Sequence, residues 1–311
     1  MTLDNNRRGI TLMEVLIAIG ILAIGLTSVV SLVPAGQSQA ARGVILDRAA
    51  AMAANGLQDA VTFGLTRPDS VSTSGTGAVW VFDPVYQRTP GGVGPVFGNA
   101  VDAALKPAGI YSDGNSVGSV PWQVTNLIAQ GRDDLLVTAA SGADDPPFNA
   151  FLNGARAFNG RMSCLYSVAR ADNDSTAPPA AGGVAKLTVV VFHNRNQADA
   201  TATAVGATYS PLAQTLSGIT VPNGRTLKQI IRPGVVVYDP SKTAADKQYM
   251  RWSQVLMASI DEKVVADLSD DVVYVTFSSP PPTGSSVLIL LDSVGMAEQM
   301  VVLEGAGSYS K

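Results

Sequence analysis

The chain has 311 residues, of which 46% are hydrophobic and 15% charged, with a net charge of −4. This length holds one large domain or two small ones, and the apolar content is sufficient for a core. A weakly acidic chain is unlike a nucleic-acid reader, which usually has a clustered basic face, so the composition gives no direct evidence for a nucleic-acid partner. The single cysteine, Cys164, excludes an internal disulfide.

The first predicted element is an apolar helix that follows two arginines, Arg7 and Arg8. From Ile10 to Val33 the chain has 24 almost wholly apolar residues. As a helix they extend about 36 Å, enough to cross a hydrocarbon core of about 30 Å. The arginines favour a cytoplasmic N-terminus, so we expect a single-pass inner (cytoplasmic) membrane protein with an extracytoplasmic domain. A cleaved secretory signal is the alternative, although its apolar core is usually shorter.

Glu14 places a carboxylate inside this apolar run. Thr11 to Glu14 fits a capping box, in which the glutamate satisfies free amides of the first turn. Ionisable groups within membrane segments more often face a partner and mark function. Both explanations are open at this point.

The sequence RRGITLMEVLIA, from Arg7 to Ala18, resembles the cleavage and methylation motif of type IV pilins and pseudopilins. The resemblance implies that prepilin peptidase cuts between Gly9 and Ile10 and that Ile10 is then N-methylated. Ile10 departs from the family, which usually has phenylalanine there. The resemblance also implies that Glu14, as fifth mature residue, pairs with the new ammonium of a neighbouring subunit. Such a pair would fix the register between subunits.

The remainder of the helix carries small residues and then a proline. We expect Ala18, Gly20, Ala23 and Gly25 to allow close helix packing between subunits. Pro34, with Gly36 shortly after it, predicts a kink or an end. Beyond it, an amphipathic pattern of period three to four predicts a helix that packs one face on a domain and ends near Gly64. Its predicted apolar face comprises Ile45, Leu46, Ala49, Met52, Ala53, Leu57, Ala60 and Val61.

The outer part reads as short strands separated by Gly, Pro, Asn and Asp. The predicted fold class is α+β: a long N-terminal helix packed on a β-rich, largely antiparallel domain. The five predicted strands between 232 and 304 follow one another closely, which favours an antiparallel meander. For residues 87–160 we expect loops with a short helix. The predicted strands are 77–86, 162–170, 185–195, 232–240, 251–261, 271–277, 286–294 and 298–304. The predicted domains are a leader at 1–9, a transmembrane and assembly helix at 10–33, its amphipathic continuation at 34–65, and a globular domain at 66–311, loop-rich at 66–180 and sheet at 184–304.

Signs of catalytic or metal chemistry are weak. The stretch 114–118 matches G-x-S-x-G, but the flanking strand, helix and base that a hydrolase elbow needs are not indicated. His193 is the single histidine, at the end of a predicted strand, so a zinc site with Cys164 is not expected. The turn at 172–176 lacks the glycine and glutamate of a calcium loop. We expect no enzyme activity, cofactor or metal.

The favoured interpretation is a structural subunit similar to a minor pilin of the pilus-modification branch. The large outer domain and the lack of the C-terminal cysteine pair that many principal pilins carry favour a minor pilin or a secretion pseudopilin. Its implied partners are prepilin peptidase, other pilin or pseudopilin subunits, an inner-membrane assembly platform and membrane lipid. A pseudopilin of a type II secretion-like system is one alternative. A monomeric membrane-anchored enzyme or binding module, with the helix as mere tether, is the other.

Overall fold

The computed structural model divides into two compact units, Met1–Asp47 and Arg48–Lys311. The boundary falls within one helix, α1 (Leu12–Thr62), and a turn at 63–66 follows it. The structure describes residues 12–66, 79–82, 135–138, 155–158, 161–171, 182–195, 204–239, 251–261, 272–278, 282 and 286–303.

The described part of the second unit is mostly antiparallel β-structure, which confirms the predicted α+β class. A one-turn helix, α2 (Leu227–Ile230), lies between β7 and β8. The strands in chain order are β1 (Val79–Phe82), β2 (Leu135–Thr138), β3 (Ala155–Phe158), β4 (Met162–Arg170), β5 (Val184–His193), β6 (Ala204–Ser210), β7 (Thr215–Ser217), β8 (Val236–Tyr238), β9 (Trp252–Asp261), β10 (Val272–Phe277), β11 (Ser286–Leu290) and β12 (Ser293–Val302).

Ten of the twelve described strands belong to two β-structures. One is a four-stranded sheet of order β1-β4-β5-β12, and the other is a closed six-stranded barrel of order β10-β7-β6-β11-β8-β9. β2 and β3 form a separate antiparallel pair. The prediction of loops and a short helix is therefore wrong for 135–138 and 155–158.

The four-stranded sheet is covered on both faces, so every residue of β5 between its two ends is buried, including the polar Lys186 and Thr188. On one face, Leu187 and Val189 pack with Ala60 and Leu65 from the end of α1 and the turn after it. On the other, Phe192 packs with residues of the barrel. The unit is thus layered as helix, sheet and barrel, and each layer covers the apolar face of the next.

The barrel interior is filled mainly by branched aliphatic side chains, including Val237, Val273 and Ile289. A buried hydrogen bond from Trp252 Nε1 to Ser167 Oγ, 3.1 Å long, joins the barrel to the sheet. The ring of Trp252 also packs against that of Tyr238, with centroids 4.7 Å apart. The hydrogen bond to Ser167 thus ties the barrel to the sheet, and the contact with Tyr238 holds the ring of Trp252 in place.

The predicted meander is correct for β8, β9 and β10, which are neighbours in order. It is wrong for the last two strands, because β11 pairs with β6 and β8 while β12 leaves the barrel and pairs with β5. The change occurs at a turn where Asp292 has a φ of 61°. The buried Ser293 hydroxyl secures the turn, since it accepts from Val236 N at 2.8 Å and donates to Leu290 O at 2.7 Å.

Candidate functional site: the apolar N-terminal helix

The N-terminal portion of α1 is a helix whose apolar side chains are all on the surface. Every residue from Leu12 to Val44 is exposed, and Leu12, Ile24 and Leu22 retain 81%, 74% and 71% of their accessible surface. Among the described residues, α1 is the one helix long and apolar enough to cross a membrane. Exposing an apolar helix of this length to water costs about 25 cal/mol for each Å² of apolar surface, so the segment requires lipid or protein around it.

The hydroxyl groups of this segment are satisfied within the helix. Ser28 and Ser31 donate to the carbonyl oxygens of Gly25 and Ser28, at 2.9 and 2.7 Å, and Thr27 donates to Ala23 O. Ser38 donates to Ala35 O at 2.8 Å. Hydrocarbon offers no partner to a polar group, so these bonds allow the hydroxyls to enter a membrane at low cost.

Glu14 lies in the first turn of α1, where a carboxylate is favoured by the positive end of the helix dipole. Thr11, the other half of the predicted capping box, lies outside the described residues, as do Gly9 and Ile10. Cleavage, methylation and the pairing of Glu14 between subunits therefore stay predictions.

The small residues of the segment fall on two sides of the helix. At 100° per residue, Gly20 and Ala23 lie on the side of the helix opposite Ala18 and Gly25. Ala18 and Gly25 share a side with Glu14, within about 40° of one another. Two glycines that were not predicted as packing residues, Gly36 and Gly43, continue this side. We call this set the small-residue side: Glu14, Ala18, Gly25, Gly36 and Gly43.

The glycines of this segment pack against nothing in the part of the chain that the structure describes. A Cβ added to Gly20, Gly25, Gly36 or Gly43 would meet nothing within 4 Å. Each glycine in a helix interior costs about 1 kcal/mol relative to alanine. The signal for Gly36 and Gly43 is present in the sequence, since Gly36 is 11 residues after Gly25 and Gly43 is 7 residues after Gly36, both close to whole numbers of turns.

α1 continues through Pro34 without interruption, so an end of the helix at this residue is excluded. A proline at this point removes one backbone hydrogen bond and crowds the preceding turn. The kink predicted at Pro34 and Gly36 stays a prediction.

The other candidate positions considered in the sequence lie on β4 and β5 or outside the described residues. His193 is the last residue of β5, as predicted, and Cys164 is buried on neighbouring β4. The described residues contain no group of three His, Cys, Asp or Glu side chains that could hold a metal ion. The stretches 114–118 and 172–176 lie outside the described residues.

Comparison with known proteins agrees with the motif in the N-terminal segment. Residues 4–30 match the family described as the prokaryotic N-terminal methylation motif, which is the type IV prepilin-like signal. The signal and the apolar helix together make this N-terminal segment similar to that of type IV pilin-like proteins that are processed by prepilin peptidase and anchored in the membrane. The matched range ends within the apolar segment and includes Gly9, Ile10 and Glu14. No curated protein and no solved structure matches the chain.

Proposed function

We propose that this protein is a minor pilin-like structural subunit of a type IV pilus-type filament. Prepilin peptidase removes residues 1–9, the apolar helix holds the subunit in the inner membrane, and the same helix then packs against other subunits. The β-rich unit lies on the extracytoplasmic side. The observation that carries this proposal is an exposed apolar helix in the segment that matches the prepilin signal.

The small-residue side of α1 supports packing between helices over simple anchoring. Lipid anchoring requires only apolar surface, and any Leu-rich helix would provide it. Glycines that contact nothing in their own chain reduce helix stability without an internal benefit. In membrane bundles, small residues permit the close approach of neighbouring helices. Their position on one side with Glu14 is the pattern expected of a subunit contact that combines a charge pair with close packing.

Glu14 provides the test of assembly against tethering. If Glu14 is only a cap, Glu14→Gln has little effect, because capping boxes accept glutamine. If it pairs with a neighbour's Ile10 ammonium, the variant leaves that charge unpaired, at a cost of about 3–5 kcal/mol. We expect Glu14→Gln to be inserted and processed but to lose two to four decades in assembly, by the same energy range.

The measurement is the ratio of sheared or secreted filament material to membrane-retained protein, for wild type and variant. Asp47→Asn is the matched control, since it makes the same chemical change on the exposed surface of the same helix beyond the apolar run. An unchanged ratio for Glu14→Gln would contradict the assembly role and favour the membrane-anchored module. Pilus and secretion pseudopilus are distinguished by the assembly ATPase encoded beside this gene.

A further inference from the structure

A group of basic side chains meets at one end of the four-stranded sheet. Arg161 immediately precedes β4, and its carbonyl oxygen accepts from Asn194 N at 2.6 Å, just after β5. His193, the last residue of β5, donates its backbone N–H to Asp292 O at 2.8 Å, in the turn between β11 and β12. These backbone bonds place three chain segments side by side at this end.

The segment between β7 and β8 adds two more cations to this end. Arg225 forms a two-pronged ion pair with Asp292, with both Nη–Oδ distances 2.7 Å. This hydrogen-bonded pair raises the pKa of Arg225. Partial burial, and then the positive charges of Arg232 and Arg161, hold the pKa of His193 below its usual 6.5, while Asp292 opposes them. We call Arg161, His193, Arg225 and Arg232 the basic cluster.

The net charge of this cluster is positive. Asp292 is the one acidic group among the described residues that acts on His193, and its two carboxylate oxygens are already engaged by Arg225. From Arg225 to Arg232 the sequence has three basic residues and no acidic one. Arg161 is exposed and His193 is half-buried, so the charge lies at the surface. This local balance is opposite in sign to the net charge of the whole chain.

The basic cluster lies at the end of the second unit where the chain enters it. Near the start of the unit, Ala49 lies 3.9 Å from the position of a Cβ added to Gly295, which is opposite Val191 on β5. Further along α1, Gly56 packs against Val189, and the helix then proceeds away from His193. The first residues of the unit and the basic cluster are therefore at the same end of the sheet.

The chain limits how far this end can be from the membrane. The apolar run ends at Val33, and the second unit begins 15 residues later at Arg48. Fifteen helical residues extend about 22 Å, and fully stretched ones about 50 Å. For an anchored subunit, the lipid headgroups are therefore within reach of this end at all times. A tether of this kind converts surface binding into an intramolecular event, so weak attraction is sufficient.

We propose that the basic cluster docks on anionic phospholipid headgroups while the subunit is anchored in the membrane before assembly. This proposal rests on the proposed function, because it requires the membrane-anchored form of the subunit. Each basic residue close to an anionic surface contributes about a fivefold change in binding, so the two positive charges that remain after Asp292 offsets Arg225 contribute roughly 25-fold. Such docking holds the unassembled subunit close to the bilayer and is released when the subunit leaves the membrane.

The experiment uses the full chain, without a histidine tag, in nanodiscs of phosphatidylcholine alone or mixed with phosphatidylglycerol. His193 is the single histidine of the chain, so carbon-13-labelled histidine gives one imidazole signal. Lipids with a nitroxide on the headgroup broaden this signal if the cluster is close to the surface. We expect strong broadening and an upward shift of the His193 pKa with phosphatidylglycerol, and neither with phosphatidylcholine alone. Both effects should diminish at high salt.

Two variants, each of which removes one arginine charge, test whether docking depends on where that charge lies. Arg161→Gln should reduce the ratio of docked to undocked unit about fivefold. Arg170→Gln is the matched control, because residue 170 is at the other end of β4, about 30 Å away, and should have no effect.

Equal broadening in both lipids, or equal effects of the two variants, would overturn the proposal while leaving the assembly function intact. Failure of the chain to insert in either nanodisc would instead overturn the anchored form and the proposed function together.

Discussion

The two portions of α1, on either side of residue 48, use small residues in different ways. In the second portion, Ala49, Ala53, Gly56 and Ala60 are buried at steps of four and three residues. A Cβ on Gly56 would lie 2.9 Å from Val189 Cγ1, so the sheet requires a glycine there. In the first portion, Gly20 and Gly25 meet nothing, although the local helical cost of a glycine is the same.

This difference shows how to interpret a small residue. Where the chain itself supplies the neighbour, as at Gly56, the small residue is explained by the fold. Where it does not, as at Gly25, we propose a partner outside the chain, and a neighbouring membrane helix is a common case.

The largest effect concerns whether the first portion is kept in the mature protein. We expect native protein to begin at Ile10 and to lack residues 1–9, because glycine leaves the backbone open to a peptidase at the membrane edge. Mass spectrometry of the N-terminal peptide from native membranes measures this. A terminus after Ala35, Gly36 or Ala40 would indicate a secretory signal, and the first portion would then have no role after export. An intact Met1 would contradict processing altogether.

The next effect concerns the folding of the second unit. Gly56→Leu forces a side chain against Val189 and Tyr166, and we expect a loss of about 3 kcal/mol or more in the free energy of unfolding. Typical domains have 5–15 kcal/mol in total. Gly25→Leu is the matched control and should leave the thermal unfolding of the purified full chain unchanged. Equal stability of the two variants would show that Gly56 is not packed as described.

The sequence predicts some elements of this unit almost residue for residue. β4, β9 and β10 are strongly apolar or alternating, with breaks at both ends, so their limits could be identified from local pattern alone. The β6–β7 hairpin was missed because its strands, AVGATYS and TLS, are short and rich in small polar residues. One apolar run, 286–294, was interpreted as a single strand, although Asp292 turns the chain within it.

Pairing of distant strands could not be predicted from local pattern. Closure of the barrel depends on β11 pairing with β6, about 80 residues away, and no periodicity contains that information. For α1, the predicted apolar face included Leu46 and Val61, which are 40% and 37% exposed, and omitted Gly56, which is buried. Hydrophobicity scales do not rank glycine as a packing residue, so they miss a position where close packing requires that no side chain be present. The N-terminal motif was identified because it is local.

A smaller effect concerns the side of the first portion that faces a neighbour. We expect Gly25→Leu or Gly20→Leu to keep membrane insertion and to weaken cross-linking between copies, because each adds bulk where helices approach. Cross-linking through Leu22→Cys measures the contact, since the native Cys164 is buried. The two glycines lie on opposite sides, so a greater loss for Gly25→Leu would assign the contact to the small-residue side. Ile24→Leu is the volume-matched control. No loss for either glycine variant would favour a simple tether.

The smallest expected effect is a dependence of folding stability on pH, which we expect in the second unit and not in the first portion of α1. His193, the single histidine, lies in the second unit, and its pKa is lowered by burial and by Arg232 and Arg161. The unfolded state therefore binds a proton more readily than the folded state, and stability rises with pH across this range. We expect the stabilisation to be complete above about pH 6.5 and to be lost as the pH falls through the folded-state pKa.

Thermal unfolding of the full chain between about pH 8 and pH 5 measures this dependence. His193→Gln should flatten the curve in that range, because glutamine keeps a polar strand end without a titrating group. The helicity of α1 residues 12–47 should not follow the same curve, since they contain no histidine. A wild-type curve that coincides with that of His193→Gln would contradict the electrostatic description of this end of the sheet. If stability falls at low pH in the wild type alone, the pH response lies in the second unit. The first portion of α1 would then be stabilised by lipid and partner helices.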